Sequence, residues 1–251
     1  METAYYNEYS YNLNRNMEFK VYGHGGRPCL VFPSQDGRFF DFENNGMVDS
    51  IKDYIDAGRI QLFCIDSNDK YSWSSTDWDN RKRIEAHEAY YNYVCNELVP
   101  RIFEINAQYN GDYYYGGLLT TGCSMGATHA LNFFLRRPDI FDGVIALSGV
   151  YSSDFFFKDY SDDLVYLNSP VNYLEGMSND YYYVDLYRQR QIIICVGQGR
   201  WEEEMIKDTR RMKELFEYKQ IPAWVDFWGY DVDHDWPWWR KQLPYYLQYV
   251  C

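Results

Sequence analysis

Residues 119 to 134 read LTTGCSMGATHALNFF, and no other stretch limits the possible folds of this chain so strongly. The β-prone run GGLLTTG passes through Gly122-Cys123-Ser124-Met125-Gly126 into the helical pattern ALNFFLRR, which stops at Pro138. A strand, a tight turn and a helix therefore follow one another with a serine at the turn. A serine there can be no more than a helix N-cap. Yet with 14 serines and 17 glycines in 251 residues, chance yields Gly-x-Ser-x-Gly only about 0.06 times. In this context the motif predicts a nucleophile elbow: the serine is held at positive φ, and close helix–strand packing leaves no room for a Cβ two residues to either side. The Ser124 hydroxyl then stands above the C-terminal edge of a sheet.

The rest of the chain repeats the same grammar, with short apolar runs alternating with longer amphipathic segments, as in a mostly parallel sheet covered by helices on both faces. MEFKVYG (17–23) and PCLVFP (28–33), joined by GHGGR, are expected to pair as an antiparallel hairpin at the sheet edge. RIQLFCID (59–66), GVIALSG (143–149), IIICVG (192–197) and AWVDFWG (223–229) are further strands. Helical patterns cover MVDSIKDYIDAG, Arg81 to Ala107, Glu203 to Lys219 and WPWWRKQLPYYLQY. Residues 151 to 188 are aromatic, acidic and aperiodic, which suits a loop or cap insertion over a site. Without repeats or linkers, residues 1–251 are expected to form a single α/β domain.

Charge and composition narrow the partners. A net charge of -13 repels phosphates, so nucleic acid and anionic membrane are excluded as targets and a small-molecule substrate is expected. The opening METAYYNEYSYNLN has no basic start followed by an apolar stretch, and no run of eighteen apolar residues occurs anywhere, which points to a soluble, cytoplasmic protein. The six cysteines lack C-x-x-C spacing and read as buried free thiols. Aromatic residues make up 20% of the chain, more than a core of this size needs, so some are left to line surfaces or a pocket. A homo-oligomer is left open.

A serine nucleophile needs a general base and a carboxylate to orient it. Of the four histidines, His24 lies in the GHGG link, His87 inside a long helix, and His129 on the helix after Ser124, where it reads as a packed residue. His234 alone follows a C-terminal strand in a loop, WGYDVDHDWPWW, and is the expected base. The acid should follow the strand IIICVG: Glu202 or Glu203, with Glu202 preferred because Trp201 would wedge the loop and turn its neighbour inward, while the remaining glutamates form a solvated first helical turn. Asp231, Asp233 and Asp235 are too close in sequence to brace the ring. They also lack the glycine and distal glutamate of a calcium loop, so no metal is expected. The chain order Ser124, Glu202, His234 is that of the α/β hydrolases. The oxyanion donors are then the N–H of Met125 and one from FPSQDG, with Gln35 preferred over Ser34.

At these residues the sequence resembles the "putative esterase" branch of the α/β hydrolases, which includes esterase D-like S-formylglutathione hydrolases, feruloyl and acetylxylan esterases, enterochelin esterases and mycolyltransferases. GCSMGATHALNFFLRRPDIFDGVIALSG looks like that family's nucleophile block, and the likeness extends from about Glu18 to Tyr249, thinning between Tyr151 and Arg188. Ala127 stands where the family often has another glycine, and the acid loop is less typical. The resemblance implies an α/β-hydrolase fold with Ser124 as nucleophile, His234 as base and an acid in GQGRWEE.

The expected activity is hydrolysis of a short-acyl, aromatic or sugar-linked ester without a cofactor. Acyl transfer to a sugar or other alcohol by the same residues, and a non-catalytic binding protein on the same fold, are the rivals. Tyr71, Trp73 and Trp78 after one strand, and Phe155, Phe156, Phe157, Tyr160 and Tyr166 after another, either pack on the body of the protein, as rings in loops usually do, or form a pocket wall, for which Trp73 is the foremost candidate.

Overall fold

The computed structural model describes residues 1–110 and 117–251. The apolar runs become strands buried along their whole length: β3 (Arg27–Phe32), β4 (Ile60–Ile65) and β5 (Leu118–Cys123) expose no residue. Such strands must be covered on both sides, and successive side chains do point into two different cores. Leu30, Val144 in β6 (Phe141–Leu147) and Ile194 in β7 (Gln191–Val196) face one; Val31, Ile145 and Ile193 face the other.

The first core is closed by α4 (Asn80–Tyr93), a π-turn over 94–98, α5 (Val99–Asn110), α6 (Met125–Arg136) and α11 (Glu203–Tyr218); the second by α1 (Asp41–Asn44), α2 (Met47–Ser50), α3 (Lys52–Asp56) and α12 (Trp236–Leu247). With β1 (Thr3–Ser10), β2 (Arg15–Tyr22) and β8 (Ala223–Phe227), the eight strands run in the order β1-β2-β4-β3-β5-β6-β7-β8. All pairings from β4 to β8 are parallel, while β1–β2 and β2–β4 are antiparallel. This is the α/β-hydrolase architecture, and it brings the loops after β3, β4, β5, β6, β7 and β8 to one edge of the sheet.

Three local expectations are corrected. The strand over 17–23 does not pair with the strand over 28–33. Its hairpin partner is β1, in register from Thr3 opposite Tyr22 to Ser10 opposite Arg15, and β4 lies between β2 and β3. The reason is burial: β3 has no polar face to give to water and belongs in the sheet interior, whereas β2 alternates and tolerates a place beside the edge. The helix expected over MVDSIKDYIDAG is two short pieces, α2 and α3, broken at Ile51. The helix expected over 81–107 runs instead from Asn80 to Asn110 through the π-turn. Gly116, the first residue of the run read as GGLLTTG, lies outside the described residues.

The segment 151–188 folds into α7 (Asp154–Phe157), α8 (Asp163–Leu167), α9 (Pro170–Gly176) and α10 (Tyr182–Tyr187) and forms the crossover from β6 to β7. Tyr173, Leu174, Val184 and Tyr187 from its second half join the first core, while Phe157 and Val165 from its first half pack with Met125, beside Ser124. Among the described residues, no helix is long and apolar enough to cross a membrane.

Candidate active site

Ser124 holds φ 57° and ψ −123° at the β5–α6 junction, and its side chain makes no capping bond to the helix. The capping alternative is thereby removed. The turn is fixed by its backbone instead: Ser124 N–H donates to Leu147 O at 2.9 Å, and its carbonyl accepts from Ala127 N–H at 2.9 Å. The flanking glycines answer to contact. A Cβ on Gly122 would lie 2.4 Å from the Gly126 carbonyl carbon, and one on Gly126 would lie 2.4 Å from Phe32 O. The start of α6 is thus pressed against the end of β3, which sets the loop after β3 beside the Met125 N–H.

His234 Nε2 lies 2.9 Å from Ser124 Oγ, and its Nδ1 lies 3.2 Å from Glu202 Oε2. Two loops carry this pair, and they are stapled together. His234 N–H donates to Arg200 O at 3.0 Å, while Asp233 accepts from the Arg200 backbone N–H at 2.8 Å and from its guanidinium at 2.6 and 2.9 Å. Asp235 caps α12 through Trp236 N–H at 2.7 Å. The acids flanking His234 therefore position its loop and leave the ring to Glu202.

Glu202 is 0% exposed, whereas Glu203 and Glu204 form the solvated first turn of α11. Glu202 turns inward, but Trp201 does not drive it there as a buried wedge. Trp201 is 64% exposed and holds φ 64°, so a left-handed kink in the backbone reverses the chain. The second carboxylate oxygen, Oε1, accepts from Ser148 Oγ–H at 2.7 Å and from Gly197 N–H at 3.2 Å. Ser148, at the end of β6, in turn accepts from Trp239 Nε1–H at 3.2 Å, and the Trp239 ring stands edge-on to His234 at 4.9 Å. Sequence reasoning missed Ser148 and Trp239. The available signal was position, since Ser148 ends the strand next to the one that carries Ser124.

On the opposite side lies the loop 33–37. Ser34 N–H and Oγ–H both donate to Asp41 Oδ2, at 2.9 and 2.8 Å, so Ser34 has no free backbone donor. Among the described residues, neither the Gln35 nor the Met125 N–H has a protein acceptor, and Gln35 is exposed.

Trp73 is not at an open pocket wall but takes the other of the two places the sequence left to it, packed on the body of the protein. It is 2% exposed, and its Nε1–H donates to His87 Nδ1 at 2.9 Å. Its ring stands edge-on to Phe156, Phe157, His87 and His129 at 5.2 to 6.2 Å. A tryptophan in a polar loop reads as exposed from sequence, but the loop folds inward because two buried imidazoles wait beneath it. Burial pushes the His87 pKa well down, so that ring is neutral and free to accept. His129, on α6, is 1% exposed and places Nε2 2.8 Å from Asp69 Oδ1. Trp73 thus belongs to the same buried cluster as Met125, and of the rings in these loops Trp78, Phe155 and Tyr166, at 44%, 55% and 41% exposure, remain open to solvent.

A family model described as "Putative esterase" matches residues 10–249. Among solved structures, a ferulic acid esterase is similar, at 17% identity and a TM-score of 0.74, covering 99% of this chain and 97% of that one. An S-formylglutathione hydrolase from Staphylococcus aureus is similar at 13% identity and a TM-score of 0.66 (99% and 96% covered). MPT51 (FbpC1) from Mycobacterium tuberculosis is similar at 14% identity and a TM-score of 0.65 (98% and 97% covered). No curated protein sequence matches significantly.

Proposed function

The chain belongs to this esterase family and is a serine ester hydrolase, in which we propose that Ser124 is the nucleophile, His234 the general base and Glu202 the acid that orients it. The observation that carries the reading is the unbroken line from Ser124 Oγ through the His234 ring to a buried carboxylate, at 2.9 and 3.2 Å. His234 Nε2 takes the hydroxyl proton as Oγ attacks the ester carbonyl. Glu202 stabilises the imidazolium that forms, and the developing oxyanion is received by the N–H groups of Met125 and Gln35, each contributing on the order of 3 kcal/mol. His234 then returns the proton to the leaving alcohol, and water repeats the sequence on the acyl-enzyme.

Short-acyl and aromatic esters are the proposed substrates. The reading draws on the open rings of Trp78, Phe155 and Tyr166, in loops that leave the same edge of the sheet as the turn carrying Ser124, since stacking of a flat acyl or alcohol group on one such ring supplies about 0.5–1.5 kcal/mol. Names of similar proteins, a ferulic acid esterase and an S-formylglutathione hydrolase, lie in the same range of esters. A fluorophosphonate label followed by peptide mapping tests the nucleophile, and p-nitrophenyl esters of rising acyl length beside methyl ferulate test the substrate. The expected result is a label on Ser124, lost in Ser124→Ala together with at least about a thousandfold of kcat. Activity of Ser124→Ala within tenfold of the wild type would sink the assignment.

A further inference from the structure

Behind the nucleophile helix lies a buried carboxylate that the mechanism above does not use. Asp69 is 1% exposed and sits between two elements that the reaction needs held together. Its Oδ1 is 2.8 Å from His129 Nε2 on α6, five residues beyond Ser124, and its Oδ2 accepts from the Asp36 backbone N–H at 3.4 Å.

Asp36 holds φ 57°, and its own side chain accepts from Ser74 Oγ–H at 2.6 Å. A second tie runs the other way, with Ser67 N–H donating to Gly37 O at 3.2 Å. On the far side, Asp41 holds Ser34 N–H at 2.9 Å. The N–H groups on either side of Gln35 are therefore each fixed by a carboxylate, and Gln35 N–H is left between them without a protein acceptor among the described residues.

We propose that Asp69, anchored by His129, is a positioning residue that holds the loop 34–37 against the nucleophile helix and so presents the Gln35 N–H to the oxyanion. The inference rests on the nucleophile and oxyanion assignments above. The physical argument concerns preorganisation. A hole formed by backbone N–H groups lowers the barrier only if its donors already point at the charge when it appears, because reorientation during the reaction spends the gain. One donor, Met125, is fixed by the helix that carries Ser124. The other lies on an exposed loop whose orientation must be imposed from outside, and the only side chain joining that loop to α6 through hydrogen bonds among the described residues is Asp69. A carboxylate suits the task because it accepts from both N–H groups at once.

Asp69→Asn conserves shape but either loses one of the two bonds, because its NH2 group faces a donor, or forces His129 into its other tautomer, with Nδ1–H buried and without an acceptor among the described residues. In purified full-length protein, kcat for p-nitrophenyl acetate is expected to fall about 10- to 100-fold with KM within twofold. Phenylboronic acid, to which Ser124 Oγ adds to give a tetrahedral anion at the same hole, is expected to bind more weakly by a similar factor. Ser74→Ala, a change at the loop surface, is expected to lower kcat a few-fold with KM unchanged, and it serves as the test if Asp69→Asn does not fold. A purely structural role would lower the unfolding temperature while kcat per folded molecule and boronate affinity stayed within twofold of wild type; that outcome overturns the proposal, as does an unchanged kcat in Ser74→Ala. Failure of wild-type Ser124 to take the fluorophosphonate label would instead overturn the underlying nucleophile assignment.

Discussion

Among the described residues there are two imidazole–carboxylate pairs, and their difference shows what turns such a pair into chemistry. His129 and Asp69 are the closer pair, at 2.8 Å, with both side chains 1% exposed; His234 and Glu202 stand at 3.2 Å, with side-chain exposures of 14% and 0%. By distance and burial alone the first pair would be the stronger interaction. What it lacks is a reactive third partner: among the described residues His129 Nδ1 meets no hydrogen-bond partner, and its ring stacks on His87 at 5.4 Å. His234 instead turns its second nitrogen to Ser124 Oγ. A proton relay needs an acceptor facing a nucleophile and a route for the ester. A pair sealed in the core, with no nucleophile at its second nitrogen, holds elements in place.

The largest effect that could break this comparison is at the rings themselves. His234→Ala should cost on the order of 10⁴-fold or more in kcat, adding little to Ser124→Ala in the double variant because the two act as a unit. Ester hydrolysis by purified, folded protein measures it. If His129→Ala were the more damaging change per folded molecule, the base would be misassigned and the comparison reversed.

Next in size is the acid. Glu202→Gln should lower kcat by about 10³- to 10⁴-fold, because the amide retains the shape but cannot stabilise the imidazolium, whereas Glu203→Gln should stay within about twofold, as expected of an exposed helix residue. Equal losses at the two positions would show that the loop, rather than the carboxylate of Glu202, supports the ring.

The smallest effect on the chemistry is expected on the buried side. Trp73→Ala should destabilise the fold by about 3–5 kcal/mol, read as a lowered unfolding midpoint, while kcat/KM for short esters falls less than tenfold at temperatures where the variant is folded. A selective loss on aromatic esters with stability intact would restore Trp73 to the pocket wall.

Much of this was legible in the sequence because it rests on local rules. Gly122-Cys123-Ser124-Met125-Gly126 between a strand and a helix carried the left-handed serine, since close packing excludes a Cβ at either glycine whatever the rest of the chain does. Apolar runs with no polar face marked the parallel interior strands, and the loop after β8 offered a single histidine. The order of the strands was less legible. A four-residue glycine-rich link suggested a hairpin, and only competition among strands for the sheet interior put β4 between β2 and β3.

The inward turn of Glu202 and the burial of Trp73 were decided by tertiary structure. Glu202 is selected over Glu203 by a single left-handed residue, Trp201, and by Ser148 Oγ–H and Gly197 N–H waiting to receive it. Trp73 is drawn under its loop by His87, fourteen residues on, and Asp69 joins residues 33 and 60 positions away. Periodicity and turn chemistry describe neighbours along the chain, so they marked where Ser124 and His234, the proposed nucleophile and base, had to stand. Hydrogen bonds between distant loops depend on which groups the folded sheet brings within reach of one another, and that decided the partners of Glu202, the ties of the loop 34–37 and the burial of Trp73.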